Sequence, residues 1–387
     1  VLINMSKQES SFSIIIRNWR CIRELELRKL PRLLILIGDN GTGKSSFARA
    51  LCLLTTLSSY RTLYGIDFSK DTITVKQSIY QLLEILFGIK ASEAYKLFHY
   101  YCPAEARLKN ACKFEEITQV RLGYPDNDYM MLEMKQQNNR ITDVSLRGPQ
   151  NEDNNFILSI LFSYSLIHRG IAESIIVNGK PLSSSHIYDV SLRISEEGEL
   201  RPLSYEVEGT FIPKEFRIID RNLGENIPLP LEAAPLGVKS FLIFKLIEQI
   251  ITNITSVIPH GINISVDRYW KILFLEDIEI GLNPYQHFIL LEEILKLINK
   301  DKRLIIIIET QSVFLAYYIR KLLAKESYEK LEEIAKVIDF WIPTDSKEKG
   351  HYCKAVGYGY DENYNFIIPE ERLQDGYSSF VKAVLEL

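Results

Sequence analysis

Nothing in this sequence reads as a leader or a membrane span. The N-terminus, VLINMSKQESSFSIIIRNWR, has no long apolar core ahead of a small-residue cleavage site. The longest apolar region, 304–323, is interrupted by Glu309, Gln311 and Arg320, and reads as a buried strand followed by a helix. A cytoplasmic location without membrane contact is the expectation. The five cysteines (Cys21, Cys52, Cys102, Cys112, Cys353) lack paired metal-type spacing, and the six histidines are too scattered to complete a zinc site. Cys102 and Cys112 are the pair that would bridge in a source tolerating cytosolic disulfides. The methionine-poor, isoleucine- and lysine-rich composition is a weak pointer to a heat-loving source of that kind. Positive charge is not in excess: the net charge is −4, so contact with DNA or RNA would need a local patch. No heptad run of three or more cycles, internal repeat or low-complexity tract occurs. What remains is globular, 46% hydrophobic and 25% charged, enough for a sizeable core in two domains or in one with insertions.

The most informative stretch present is Gly38 to Ser45, GDNGTGKS, which satisfies G-x-x-x-x-G-K-[ST]. Leu33-Leu34-Ile35-Leu36-Ile37 before it is an apolar run of buried-strand type, and Ser46 to Leu51 after it continues as a helix. Glycines allow the tight turn that aims successive N–H groups at phosphate oxygens, backed by the helix N-terminus. Gly38, Asn40, Gly41, Thr42, Gly43, Lys44, Ser45 and Ser46 are the expected phosphate contacts. Lys44 would reach the β/γ-phosphates and Ser45 would ligate Mg²⁺, so a nucleoside triphosphate, ATP, is the expected ligand.

In chain order, Phe12 to Leu27 alternates as two strands joined near Asn18-Trp19-Arg20. Arg17, Arg20, Arg23, Arg28, Lys29 and Arg32 make this the most basic stretch, either the solvated face of a hairpin or a contact for nucleic acid or nucleotide. Residues 57–113 read as helices, with amphipathic segments at Val75–Phe87, Ser92–Tyr101 and Ala104–Cys112. Glu116–Leu122, Tyr129–Lys135 and Arg140–Leu146 are strand-like. Phe156–Ile167 is an apolar helix candidate, and Val177-Asn178-Gly179-Lys180 is a hairpin turn. Further on come a helix at Phe241–Ile251, a strand at Trp270–Leu275, a helix at Tyr285–Ile298 and a strand at Leu304–Ile308. Lys336–Trp341, Cys353–Tyr358 and Tyr364–Ile368 look like edge strands.

Alternating buried strands and helices mean a parallel sheet covered on both faces. The expected fold class is α/β, a P-loop NTPase with a mixed or parallel sheet flanked by helices, an N-terminal antiparallel β-subdomain and an inserted α+β region. The expected divisions are a core half at 1–56, an insert at 57–209, a second core half at 210–345 and edge strands with a tail at 346–387.

A strand ending in an acid is the partner a P-loop needs, because one carboxylate holds the Mg²⁺ shell while a neighbour orients or deprotonates the attacking water. Ile272-Leu273-Phe274-Leu275-Glu276-Asp277 has that form, with Glu276 facing the metal and Asp277 the nucleophile.

GDNGTGKSS, ILFLEDIEIGLNPYQ and LIIIIETQS together resemble the core of RecF/SMC-like ABC-type ATPase heads, nearest the overcoming-lysogenization-defect (OLD) type grouped among AAA family ATPases. Ile-Arg-Asn-Trp-Arg resembles that family's leading strand, and Ala234 to Ser240 (APLGVKS) its degenerate signature. The resemblance covers the N-terminal stretch and residues 210–320; the 57–209 insert matches only in general character. It implies that Gly237, Lys239 and Ser240 form the signature loop. Gly237 and Ser240 would cap the γ-phosphate of an opposite protomer in a head-to-head homodimer around ATP. Three positions depart from the pattern: Asp277 replaces a catalytic Glu, Ile278 a Pro, and Gln311 the switch His. Gln can donate a hydrogen bond but cannot carry charge, so slow hydrolysis is implied. The chain beyond the third motif is too short for the nuclease domain that OLD proteins carry, so a head without nuclease is expected.

Two readings remain open. One is an ATPase that dimerises on ATP and gates a DNA-related process, repair or defence against mobile elements, with duplex DNA as a partner. The other is a nucleotide-sensing scaffold that regulates a separately encoded effector protein with little hydrolysis. A P-loop kinase acting on a small molecule is disfavoured by the long gap between Lys44 and Glu276 and the lack of an Arg-rich lid.

Overall fold

The computed structural model describes residues 12–64, 72–88, 90, 117–124, 128–137, 140–148, 157–164, 174–181, 205–206, 217–220, 228–230, 240, 243–244, 247–248, 250–252, 269–312, 314–315, 317–319, 335–343, 352–360, 366–367 and 369–375. In chain order the elements are β1 (Ser13–Trp19), β2 (Ile22–Leu27), β3 (Leu33–Gly38), α1 (Lys44–Tyr64), α2 (Thr72–Phe87), β4 (Ile117–Gly123), β5 (Tyr129–Gln137), β6 (Arg140–Arg147), β7 (Ile157–Ser163), β8 (Ile175–Val177) and β9 (Lys180–Pro181). They continue with β10 (Tyr205–Glu206), β11 (Arg217–Asp220), β12 (Pro228–Pro230), β13 (Trp270–Glu276), α3 (Pro284–Lys300), β14 (Leu304–Glu309), β15 (Ala335–Trp341), β16 (Lys354–Gly357), β17 (Gly359–Tyr360), β18 (Phe366–Ile367) and α4 (Glu370–Asp375).

The main sheet runs β16-β15-β3-β14-β13-β7-β8-β9. Its five central strands, β15 to β7, are parallel, and its margins are antiparallel. A strand buried on both faces needs no polar alternation, and Leu33 to Ile37 are each 0% exposed. Side chains still alternate by face. Leu33, Ile35 and Ile37 pack with Leu290, Leu291 and Ile294 of α3, whereas Leu34 and Leu36 pack with Phe47, Leu51 and Leu54 of α1.

A second, antiparallel sheet runs β2-β1-β4-β5-β6. Its buried residues Ile14, Ile16, Val120, Leu122, Met130 and Leu132 join the same core as α1. That helix therefore lies between two sheets, which is why every side chain from Ala50 to Ser59 is buried. Two of its buried hydroxyls are satisfied inside the helix, Thr55 donating to the Leu51 carbonyl and Ser59 to that of Thr56.

Two expectations are corrected. The 156–167 segment forms a strand, β7, because it lies between β13 and β8 with all seven residues buried. An apolar run this short carries no period that separates strand from helix. It also places a strand from the 57–209 segment inside the main sheet. Residues 335–341 form no edge: β15 pairs on one side with β3 and on the other with β16. The 92–101 and 104–112 helices, and with them Cys102 and Cys112, lie outside the described residues. The hairpin turn at 178–179 is present, with Asn178 and Gly179 both at positive φ.

Candidate functional site: the phosphate loop and its two acids

The loop leaves β3 at Gly38, whose φ of 129° and contact with the Phe340 carbonyl leave no room for a side chain; an added Cβ would sit 2.2 Å from that oxygen. Gly41 and Gly43 also take positive φ, at 77° and 107°. Asn40 and Gly41 are exposed, Thr42 donates to the Asp39 carbonyl at 2.7 Å, and Lys44 folds back so that Nζ donates to the Gly38 and Asp39 carbonyls at 2.8 Å each. Burial holds Lys44 below its ordinary pKa, against the pull of Glu309 and Asp277. Ser46 is buried, and its carbonyl accepts the Trp19 indole N–H at 3.0 Å, which ties the leading hairpin to the loop.

Opposite the loop, β13 and β14 end in register, Glu276 beside Glu309. Ile272 and Phe274 share the α1-side core with Ile305 and Ile307. A period of two therefore turns both glutamates toward α1. α1 presents Ser45 and Arg49, four residues apart and so on one face of the helix. Ser45 Oγ donates to Glu309 Oε1 at 2.7 Å. Arg49 grips Glu276 with two bonds, Nε to Oε1 at 2.8 Å and a terminal nitrogen to Oε2 at 2.6 Å. It also donates to the Leu86 carbonyl.

The electrostatics follow from that pairing. Burial would lower the Arg49 pKa, but the charge and hydrogen bonds of Glu276 hold it above its usual value. Glu309 has no such cation. Burial and the neighbouring Glu276 push its carboxyl up to about 8, and Oε2 is buried without a hydrogen-bond partner. Asp277 follows Glu276 with φ at 54°, in the left-handed region that favours glycine, and burial raises its pKa.

A further acid, Glu279, braces the loop after β14. Glu279 accepts from Thr310 Oγ1 at 2.5 Å and from the Gln311 backbone N–H at 3.0 Å, and burial pushes it up to about 7. The Gln311 side chain is exposed. A histidine does reach this loop, but from α3: His287 Nδ1 shares a 2.8 Å hydrogen bond with Ser312 Oγ.

The structure thus brings together Lys44, Ser45, Glu276 and Asp277, and keeps Gln311 at the surface of the adjacent loop. Ser240 is fully buried and donates to the Ile280 carbonyl at 2.8 Å, in the turn after β13. Gly237 and Lys239 lie outside the described residues. Sequence reasoning missed Glu309, Arg49 and Glu279. Glu309 satisfied the same rule as Glu276, an apolar strand ending in an acid, and Arg49 was visible as the i+4 neighbour of Ser45.

The fit to a metal-bound nucleotide is good. A loop of backbone donors, a lysine, a serine hydroxyl and a buried carboxylate oxygen lacking a partner offer hard oxygen ligands and phosphate donors in one place. Among the described residues no cluster of three or more His, Cys, Asp or Glu could hold a metal unaided. No helix among them is long and apolar enough to cross a membrane.

Comparison with known proteins returns no curated match. Solved structures similar to the chain include the SMC head domain from Thermotoga maritima, at 10% identity and a TM-score of 0.42, covering 90% of this chain and 98% of that one. Another is an Smc head domain with an extended coiled coil bound to the C-terminal domain of ScpA derived from Pyrococcus furiosus, at 8% identity and a TM-score of 0.46, covering 90% and 96%. A third is Stu0660 of Streptococcus thermophilus, at 12% identity and a TM-score of 0.30, covering 84% and 74%. Residues 12–159 match the family model for the AAA ATPase domain, and with the P-loop on a central parallel strand flanked by helices the fold is that of a P-loop NTPase.

Proposed function

We propose that this chain binds Mg²⁺-ATP at Gly38 to Ser46 and hydrolyses it slowly, as an ABC-type head of the RecF/SMC and OLD kind that dimerises around ATP and gates a DNA-related process. The observation that carries the reading is the convergence of Lys44, Ser45 and the in-register acids Glu276 and Glu309 under one loop. Lys44 would exchange its two carbonyl partners for phosphate oxygens. Ser45 and Glu309 would hold the metal, which would neutralise developing phosphate charge when bound. Asp277 would orient the attacking water from its constrained backbone position.

The scaffold reading, ATP binding with little turnover, draws on a specific feature: the bidentate Arg49 pair occupies both oxygens of Glu276. A DNA contact through the basic hairpin is weakened by local pairing, since Arg17 bridges Glu24 and Arg28 bridges Glu26, while Arg32 is buried on backbone carbonyls.

The test is steady-state ATP hydrolysis with and without linear duplex DNA, with light scattering of the ATP-bound species. Turnover stimulated by DNA, an ATP-dependent dimer, and a loss of ~100-fold or more in Asp277→Ala with binding intact would support the DNA-acting ATPase. Tight binding with no turnover, indifferent to DNA and to Asp277→Ala, would leave the regulatory scaffold.

A further inference from the structure

Cys21 and Cys353 stand 332 positions apart in sequence, yet their sulfurs are 2.8 Å apart, with the Cys353 thiol donating to Cys21. The backbone is locked there as well. The Cys353 N–H donates to the Cys21 carbonyl at 2.8 Å, and Ile22 bridges Cys353 in parallel fashion. Both residues are 3% exposed. Their position under the phosphate loop gives the pair consequence: a Cβ built on Gly43 would lie 2.7 Å from the Cys353 sulfur and 2.9 Å from that of Cys21. The two sulfurs are the floor on which Gly43 rests.

We infer that Cys21 and Cys353 form a reversible dithiol–disulfide pair whose oxidation by a peroxide alters nucleotide binding at the loop above it. Cys21 is the attacking sulfur, because it accepts the Cys353 hydrogen bond and lies next to Arg20, both of which favour a thiolate. Its thiolate attacks one peroxide oxygen, breaking the O–O bond to give a sulfenic acid and hydroxide. Cys353 gives up its proton, and its sulfur then attacks that of Cys21 and expels the hydroxyl group. In net terms two thiols and one hydrogen peroxide become one disulfide and two waters. A small oxidant suits a buried pair. Cys52, the other cysteine described, is also buried but has burial pushing its thiol up to about 11 and, among the described residues, no second cysteine beside it, which makes it an internal control.

Closing the bond draws the two sulfurs together out of their present contact, and Gly43 rests on both of them. A phosphate loop whose floor is rebuilt in this way loses its cradling geometry and binds less tightly. By linkage, bound nucleotide opposes oxidation by the same factor.

The experiment uses the full chain, reduced and then treated with hydrogen peroxide, with peptide mapping by mass spectrometry and titration of a fluorescent ATP analogue. The expected result is a Cys21–Cys353 linked peptide, two hydrogens lighter, that dithiothreitol reverses. Nucleotide affinity should fall at least fivefold in the oxidised form and recover on reduction. Cys353→Ser should lose the link, trap a sulfenic acid at Cys21 with dimedone, and keep its affinity after peroxide. Cys21→Ser repeats the test should Cys353→Ser misfold. A pair that stays reduced while other cysteines react, or a linked pair with unchanged affinity, overturns the inference. The coupling rests on nucleotide binding at the loop, whereas the link is read by mass alone. Absence of binding in the reduced protein would therefore sink the functional reading and leave the disulfide separately decided.

Discussion

The ends of β13 and β14 are the same structure with different neighbours. Both are parallel strands, both are buried on two faces, and both end in a glutamate turned toward α1, in register with each other. One meets Arg49 and is neutralised by a two-point ion pair; the other meets a serine hydroxyl and keeps a buried oxygen without a partner. The difference arises four residues apart on one helix. A strand-end acid becomes an ion-pair partner or keeps a buried oxygen without a partner according to what the facing helix presents. The strand motif alone does not assign the role.

The largest effect should come from breaking the neutral side. Arg49→Ala leaves Glu276 buried and unpaired, and costs roughly 3–5 kcal/mol by chemical denaturation. Arg49→Met with Glu276→Gln should recover most of that loss. If Arg49→Ala is silent, the pair is not what holds Glu276 there.

Glu279 sharpens the contrast through pH. Its carboxyl is pushed from 4.5 up to about 7, so the native state keeps a proton that the unfolded chain releases. Its contribution is present in full below pH 4.5 and lost as pH rises through 7, roughly 3 kcal/mol over the window. Glu279→Gln should flatten that slope in melting curves between pH 5 and 8 (about the span of the shift). An unchanged slope would assign it elsewhere.

The smallest effect tests the side with the unpartnered oxygen. Glu309→Gln copies the neutral carboxyl and should fold normally, but weaken Mg²⁺-dependent ATP binding by about 10-fold, or 1.4 kcal/mol. Glu276→Gln should leave the Mg²⁺ dependence within about twofold, measured by titrating a fluorescent nucleotide at varied Mg²⁺. The reverse ranking would return the metal to Glu276.

Much of this was legible before folding. GDNGTGKS announced a phosphate loop because its glycines serve a local backbone need, and the short strands at 117–123, 129–137 and 140–147 followed from period and turn residues. The β7 segment was not legible, since an apolar run has no face to read until its neighbours are known. Arg49 lay in plain view, but which acid it would meet depends on the order of β14 and β13 beside β3.

The sequence by itself determined the loop, the strands around it and the kind of ligand, because strand period, helix spacing and glycine conformation act over a few residues. Only the tertiary structure decided which glutamate faces Ser45, that α1 lies between two sheets, and that Cys21 meets Cys353 under Gly43. Those contacts join positions far apart in the chain, and their energies exist only once the sheets have closed around α1.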